Sequence, residues 1–348
     1  MKNYILIQIT LSLSLLTLSL KSEEANDPIE LKPTIVVATK TPKNAKELMP
    51  SIEYIGANSI KDRQIFQLVD TLQYVPGVTI VQTGQQGGAA SLFVRGLESN
   101  HVVTLLNGRR LAPGLAGLYN IELLGTSFLE SVQLAKGPVS SLYGSDAIGG
   151  ALDLRMSDAR FVSVKNNLEL FTEAGSFDTF RSALKYQTKE DRIGIVMDAS
   201  YLHTDNDRPF SQFENLTLRN NIAYEVSDNI HFDLLSFYQG SDLQVPGSEL
   251  GGSFPEPQIN VNESSLISPR LSITEKDWNA QIFFSRTASE LEATQDVFQQ
   301  DNILEQTGNE IEALVNYSVL DNSIWTLGSG YYNYEFSRTP ITPGPFNK

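Results

Sequence analysis

Alternating apolar and polar residues dominate the chain from about residue 161 onward. The segment 192–201 is typical, because Ile193, Ile195 and Met197 occupy one face of a predicted strand and polar or small residues occupy the other. Such period-two alternation indicates long strands with one apolar and one polar face. Short polar turns alternate with longer loops between these strands, as in outer-membrane barrels. The pattern favours a transmembrane β-barrel, with a soluble β-sandwich as the alternative.

Residues 51–156 have a different pattern, with short apolar runs separated by many glycine turns. Val102–Leu106 predicts a strand, and the Asn107-Gly108 pair after it predicts a two-residue hairpin turn. Helices are predicted from Ser59 or Lys61 to Tyr74, and over 121–124. This zone is therefore expected to form a compact α+β domain ahead of the strands.

The amino terminus has the pattern of a secretory signal peptide. Lys2 precedes an uncharged run from Asn3 to Leu20, and polar residues follow, which predicts a signal peptide over 1–22. A membrane anchor is the alternative, although the run is barely long enough to span a bilayer. Residues 23–50 contain several prolines and charges and predict a flexible extended segment.

Composition excludes several classes of function. The chain has 26 Lys+Arg against 41 Asp+Glu, a net charge of −15, which is a poor match for nucleic acid. It contains no Cys, and its three His are far apart, so a thiolate site or a zinc site is not expected. The sequence shows no nucleophile–base pair and no phosphate-binding loop, and an enzyme is not predicted.

Three motifs resemble those of a known family. They are Leu72 to Val78 (LQYVPGV), Phe93 to Gly96 (FVRG) with the strand and turn that follow, and Lys136 to Leu152 (KGPVSSLYGSDAIGGAL). In this order after a signal peptide, they resemble the TonB-dependent outer-membrane receptors. The Gly-Ser-Asp-Ala-Ile-Gly-Gly run looks most like the cobalamin-receptor branch.

The resemblance implies a membrane all-β fold, with a plug domain over 51–156 inside a TonB-dependent transmembrane β-barrel that begins near residue 157. It implies active uptake of a scarce ligand, cobalamin or another corrinoid, across the outer membrane of a Gram-negative bacterium. A ferric-siderophore receptor of the same family is the alternative. A barrel without energy coupling, either a porin or an adhesin, is the alternative from another class. The implied partners are TonB, the small-molecule ligand and outer-membrane lipid, with no nucleic acid.

The uncharged segment Thr34, Ile35, Val36, Val37, Ala38, Thr39 resembles the TonB box of this family. An extended segment of this kind can add a strand to the sheet edge of a partner protein. The alternative is an ordinary first strand of the plug. Arg95, Arg109 and Arg110 are expected to contact the barrel, because an arginine inside a protein-filled barrel requires carboxylate partners.

Two plug segments, Val81 to Ser91 and Ala112 to Asn120, match the positions from which this family contacts its ligand. The residues expected to bind ligand are Gln82, Thr83, Gln85, Gln86, Ser91, Leu115, Leu118, Tyr119 and Asn120. Neither segment contains Lys or Arg, which favours a neutral ligand over an anionic chelate. Simple solvated loops are the alternative interpretation.

The resemblance also raises the question of a metal. Cobalamin receptors of this family bind calcium through an acidic outer loop, and Asp205, Asp207 and Glu214 are the corresponding candidates here. This cluster is sparser than the family pattern, and a solvated acidic loop is the alternative. No cofactor is otherwise expected to be required.

The remaining length is short for this family. About 188 residues follow residue 160, and a count of predicted strands gives roughly nine. The family's barrels have more than twice that number, so the sequence predicts a barrel truncated after roughly nine strands, with the partial barrel over 157–348.

Overall fold

The computed structural model describes residues 34, 35, 37, 40, 43, 44, 51–114, 117–246, 257–294, 302–320 and 323–340. The predicted signal peptide over 1–22 lies outside these residues. The described part of the chain forms a small α+β domain and a large antiparallel sheet, as the alternation predicted. No helix in the described ranges is long and apolar enough to cross a membrane.

The small domain, called the plug, is built on a five-stranded mixed sheet. Its strands are β3 (Ile52–Gly56), β6 (Val102–Leu106), β7 (Arg109–Arg110), β8 (Leu129–Lys136) and β9 (Gly150–Met156), in the sheet order β3-β8-β9-β6-β7. The hairpin of β4 (Val78–Gln82) and β5 (Ala90–Val94) is a separate two-stranded sheet. Two further short strands, β1 (Thr34–Ile35) and β2 (Lys43–Asn44), pair with each other ahead of the plug.

β6 shows why the sheet forms where it does. All five of its residues are buried, and it pairs in parallel with β9, as expected for a β-branched apolar run in a covered sheet. The predicted turn follows it, with Asn107 at φ 47° and Gly108 at φ 80°. Two consecutive positive φ angles are typical of the tight hairpin turn that an Asn-Gly pair favours.

The single helix predicted up to Tyr74 is wrong. The structure has two short helices instead, α1 (Ala57–Asp62) and α2 (Leu68–Leu72), with a turn between them. Ile60 and Ile65 are both buried, and a spacing of five residues does not place two side chains on one helical face. The chain therefore leaves the helix, and Gln64 adopts φ 52° in the turn.

Other short helical elements connect the strands of the plug. They are α3 (Ser140–Tyr143) and the 3₁₀ turns Ser99–His101, Ile121–Leu123 and Ser145–Ala147. The second of these turns lies where a short helix is predicted. It begins directly after Asn120, at the end of a segment expected to contact ligand.

The large sheet, called the wall, contains nine antiparallel strands within the described ranges, in sequence order. They are β10 (Asn167–Ala174), β11 (Phe180–Glu190), β12 (Ile193–Thr204), β13 (Phe213–Ser227), β14 (Ile230–Val245), β15 (Gln258–Thr274), β16 (Trp278–Thr294), β17 (Asn302–Leu320) and β18 (Ser323–Pro340). This number agrees with the predicted count. Connections of two or three residues alternate with longer ones after β11, and define a turn end and a loop end of the wall.

The two faces of the wall differ in chemistry. The inner face packs on the plug and contains buried polar side chains such as Asp198, Arg219 and Asp233. The outer face exposes large apolar side chains, among them Ile193, which is 45% exposed, and Ile282, which is 46% exposed. An apolar outer face and a polar inner face are typical of an outer-membrane barrel.

Candidate functional site

A cavity lies between the plug and the inner face of the wall, near the loop end. Strands β14 to β18 border one side of it, and the plug borders the other with Leu111, Ala112, Gly114, Leu118, Tyr119, Asn120 and Leu124. Leu118, Tyr119 and Asn120, three of the residues predicted to bind ligand, line this cavity. The structure therefore brings one of the two predicted ligand segments to a pocket.

The inward side chains of the wall part of this cavity are uncharged. They are Phe237, Gln239, Asn262, Ser264, Ser289, Leu291, Leu304, Gln306 and Phe336. Glu263, Glu290 and Glu305 also border the cavity, and they stand opposite one another on β15, β16 and β17. Because neighbours along a strand point to opposite faces, the glutamate side chains belong to the outer face. Amide, hydroxyl, aliphatic and aromatic groups remain to contact a ligand.

Hydrogen bonds fix the plug segment against the wall. Ser289 Oγ donates to the Pro113 carbonyl at 3.4 Å, and Asn120 Nδ2 donates to Asn262 Oδ1 at 3.5 Å. With its amide oriented for hydrogen bonding, Gln306 Nε2 donates to the same Pro113 carbonyl at 2.8 Å. Burial raises the pKa of Tyr119 to about 12, so this phenol is neutral at physiological pH.

The other predicted ligand segment has a different role in the structure. Gln82 Nε2 donates to carbonyl groups of its own loop, and Thr83 Oγ1 does the same. Gln85 Nε2 reaches the wall and donates to the Gln244 carbonyl at 3.2 Å. The Gln86 carbonyl accepts from Asn206 Nδ2 at 3.4 Å. These amide side chains therefore attach the loop to itself and to the wall.

Two residues remain from the predicted ligand set. Ser91 belongs to β5 and is half-buried, and it does not line the cavity. Leu115 lies outside the described residues. The wall residues Phe237, Gln239 and Asn262 were not among the predicted ligand contacts, although their alternation with outward residues could have indicated them.

The segment that resembles a TonB box is docked where the structure describes it. Thr34 and Ile35 pair with β2, and Val37 is fully buried in the plug core. The Val37 amide donates to Gln133 Oε1 at 3.4 Å. These described residues are therefore held in place, whereas the sequence predicted a flexible extended segment. Val36, Ala38 and Thr39 lie outside the described residues.

Lys40 extends this docking to the wall. Its ammonium lies 2.6 Å from the Glu312 carboxylate on β17 and 4.7 Å from the centre of the Tyr143 ring. The side chain is largely buried, so salt screens the pair less than a surface ion pair. The segment next to the predicted TonB box thus contacts plug and wall together.

Arg109 and Arg110 contact carboxylates of the wall. Arg109 Nη2 lies 2.5 Å from Asp233 Oδ2, and both side chains are almost completely buried. Arg110 lies 3.6 Å from Glu310 and stacks 5.0 Å from the Tyr332 ring centre. Both arginines belong to β7, directly ahead of the segment that lines the cavity.

Arg95 does not follow this pattern. Its side chain is exposed and donates to Ser51 Oγ at 3.5 Å, and the described residues place no carboxylate within ion-pair distance of it. Its φ of 53° belongs to a tight turn, in which its amide donates to the Gly77 carbonyl at 2.8 Å. Within the described residues Arg95 therefore contacts the plug and not a wall carboxylate, and its contact with the barrel stays a prediction.

A buried charge network that the sequence did not predict continues from Arg109. Asp233 Oδ1 accepts from Arg270 Nε at 2.6 Å, and Arg270 Nη2 lies 3.5 Å from Asp158 Oδ2. Asp158 also pairs with Arg160 at 2.7 Å, in the segment that joins plug and wall. Three guanidinium groups and two carboxylates thus fix the end of the plug to the wall.

A second anchor lies on neighbouring strands. Arg219 Nε donates to Asp198 Oδ1 at 2.6 Å, and its other nitrogens donate to the carbonyls of Gly125 and Ser127 of the plug. The linker approaches the wall backbone closely at Gly194, where an added Cβ would lie 1.9 Å from the Ala159 carbonyl oxygen. The plug and the wall are therefore closely packed along this side.

Glu122 connects the two predicted ligand segments, because it follows the second segment in the chain and its side chain contacts the first. Its carboxylate accepts a hydrogen bond from the Ala90 amide at 3.3 Å, and its own carbonyl accepts from Gln67 Nε2 at 3.4 Å. The side chain is 6% exposed. Burial raises its pKa to about 7, and backbone amide hydrogen bonds oppose this only in part.

The acidic residues proposed to bind calcium lie near a histidine. Glu214 Oε1 is 3.2 Å from His203 Nδ1, and Asp205 Oδ1 is 3.7 Å from His203 Nε2. Asp205 also accepts from Gln212 Nε2 at 2.8 Å. Within the described ranges, no group of three or more His, Asp or Glu side chains is placed to hold a metal ion. The calcium site, which includes Asp207, stays a prediction.

The sequence similarity to known proteins includes the plug. The model of the TonB-dependent Receptor Plug Domain family matches residues 44–151. The vitamin B12 transporter BtuB of Vibrio vulnificus (strain CMCP6) is 34% identical over 120 residues, which cover 34% of this chain and 20% of the transporter. BtuB of Vibrio cholerae serotype O1 (strain ATCC 39541) is 32% identical over 130 residues, or 37% of this chain and 21% of the transporter. The matches thus span about a fifth of these relatives.

Solved structures share the fold over most of the chain. The ferripyoverdine receptor of the outer membrane of Pseudomonas aeruginosa has a TM-score of 0.72 and 14% identity, and the match covers 88% of this chain and 45% of that one. BauA, the ferric preacinetobactin receptor from Acinetobacter baumannii, has a TM-score of 0.74 and 14% identity, with 90% and 51% covered. At this identity the likeness concerns the fold alone.

Proposed function

We propose that this chain is a TonB-dependent receptor that acts in the uptake of cobalamin or another corrinoid, because its plug matches the model of that family. This family consists of receptors and transporters of the outer membrane. The sequence similarity of the plug to vitamin B12 transporters supports the corrinoid class. The proposed partners are TonB, the ligand and outer-membrane lipid.

The uncharged cavity carries the proposal for the ligand. A ligand held between Tyr119 and Asn120 of the plug and Asn262 of the wall would meet amide and aromatic groups. An anionic chelate loses its shell of water on binding, which is costly unless a cationic side chain pairs with it. No Lys or Arg is among the described residues that line this cavity, so its chemistry favours a neutral polar ligand.

Ligand titration of the purified chain tests this proposal. Asn262→Leu removes an amide from the cavity, and its affinity for cobalamin is expected to fall about ten-fold, the equivalent of roughly one hydrogen bond. Glu263→Gln is the control, because Glu263 is next to Asn262 on β15 but its side chain belongs to the outer face. The affinity of this variant for cobalamin should equal that of the unmodified chain. Binding of a ferric siderophore without cobalamin would instead assign the chain to the alternative ligand class.

Energy coupling is proposed to use the segment Thr34 to Thr39 as a TonB box. A strand added to a TonB sheet edge needs backbone N–H donors, and proline removes one. Val36→Pro should therefore abolish cobalamin uptake by cells and leave cobalamin binding intact, while Val36→Ala should preserve both. Normal uptake by the proline variant would contradict energy coupling through this segment and favour a barrel without it.

A further inference from the structure

The lipid-facing side of the wall has a groove near the turn end. Its floor is formed by Thr188 of β11 and Ile195 of β12, which are only 8% and 7% exposed although they belong to the outer face. Ile193 and Tyr224 stand at its sides and are both 45% exposed. An outward position with a buried floor means that the surrounding side chains form a true depression.

The groove has fixed walls. Asn166 closes one side, because its Oδ1 accepts from Tyr186 Oη at 2.8 Å and its backbone N–H donates to Thr188 Oγ1 at 3.2 Å. The depression is open toward the outside and has a volume of about 1010 Å³, far more than the roughly 30 Å³ that a water molecule occupies. Three isoleucines and two tyrosines supply its apolar lining, so hydrocarbon would fill that part more favourably than water.

Charged groups stand only at the turn end of the groove. Glu190, Asp191 and Arg192 border it there, and all three are exposed. Arg192 uses one nitrogen to donate to the Val226 carbonyl at 3.2 Å. Arg192 therefore lines the groove together with the carboxylates of Glu190 and Asp191. The mouth thus offers donors for a phosphate and acceptors for an ammonium group.

We propose that this groove binds one phosphatidylethanolamine molecule of the periplasmic leaflet. Short turns lie on the periplasmic side of outer-membrane barrels, which places the mouth at the level of phospholipid head groups. An acyl chain lies over Ile195, Arg192 binds the phosphate, and Glu190 and Asp191 bind the ethanolamine ammonium. The two carboxylates disfavour an anionic head group such as phosphatidylglycerol, because like charges repel in the poorly screened interface.

Native mass spectrometry of the full chain, reconstituted in bilayers of phosphatidylethanolamine and phosphatidylglycerol in equal amounts, tests the proposal. The unmodified chain should retain one phosphatidylethanolamine after mild detergent extraction. Ile195→Trp fills the groove and should reduce the retained lipid at least five-fold. Ile282→Trp, on the same face but outside the groove, should leave it unchanged.

Variants of the exposed turn keep the test decisive if a tryptophan prevents assembly. Arg192→Ala should reduce retention of phosphatidylethanolamine several-fold, whereas Lys276→Ala in another short turn should not. Asp191→Asn with Glu190→Gln should shift the preference toward phosphatidylglycerol. Equal retention by the unmodified chain, Arg192→Ala and Lys276→Ala, or retention without head-group preference, would overturn the proposal.

Discussion

Glu122 offers a prediction whose sign and size follow directly from its burial. Its carboxyl group has a pKa of about 7 in the folded plug, raised by burial from an ordinary value of 4.5. Between about pH 4.5 and pH 7 the Glu122 carboxyl group is therefore mostly protonated in the folded chain and mostly ionised in the unfolded chain. The free energy of unfolding therefore decreases as pH rises through this window, and below about pH 4.5 the difference vanishes.

The size of the effect follows from the difference in pKa. A shift from 4.5 to about 7 corresponds to about 3 kcal/mol, at roughly 1.4 kcal/mol for each pKa unit. Glu122→Gln keeps the shape and the acceptor for the Ala90 amide but cannot ionise. Its buried NH₂ group adds a cost that does not depend on pH, so this cost cancels when two pH values are compared.

Hydrogen exchange of the Ala90 to Val94 amides measures the effect in the full chain. Relative to Glu122→Gln, the unmodified protein should lose about 3 kcal/mol of local stability between pH 4 and pH 8. Glu130→Gln, at an exposed position of β8, serves as the control and should show no such pH-dependent difference. A constant difference between Glu122→Gln and the unmodified chain, or one that grows toward low pH, would refute the argument.

Two further predictions concern contacts between plug and wall. At Gly87, φ is 85° and an added Cβ would lie 2.4 Å from the Phe213 ring, so Gly87→Val should displace the loop and raise its protease sensitivity at least ten-fold. A protease pattern equal to that of the unmodified chain would contradict this contact. Arg109→Met removes one of the two buried arginines that contact Asp233 at hydrogen-bond distance and should cost about 3 kcal/mol in urea unfolding. The exposed Arg95→Met should cost less than about 0.5 kcal/mol, and equal costs would contradict the assignment.

Period-two alternation was sufficient to predict the wall, since each residue's face follows from its parity along the strand. The strand predicted over 192–201 corresponds to β12 (Ile193–Thr204), and Val102–Leu106 has the same bounds in the prediction and in the structure. The Asn107-Gly108 turn was predictable for a local reason, because few other residues accept two positive φ angles.

Contacts between distant segments could not be read from the sequence. Gln85 belongs to an amide-rich loop that looks like a solvent-exposed ligand contact. Its side-chain amide nevertheless donates a hydrogen bond to the carbonyl of Gln244, 159 residues away. Val37 lies in a segment that the sequence predicts to be flexible, but its side chain is fully buried in the core of the plug. Composition indicates which groups a segment offers, whereas the partner is decided by tertiary packing.

The charges on the inner face of the wall are distributed in a way that bears on the ligand. Asp233 and Arg270 lie near the turn end and anchor the plug, whereas Gln239 and Asn262, on the same two strands, lie toward the loop end and border the cavity. Strong anchoring needs charge-assisted hydrogen bonds, and these would disturb a site for a neutral ligand. Separating the two along each strand allows one inner face to hold the plug firmly and to present an uncharged surface at its loop end.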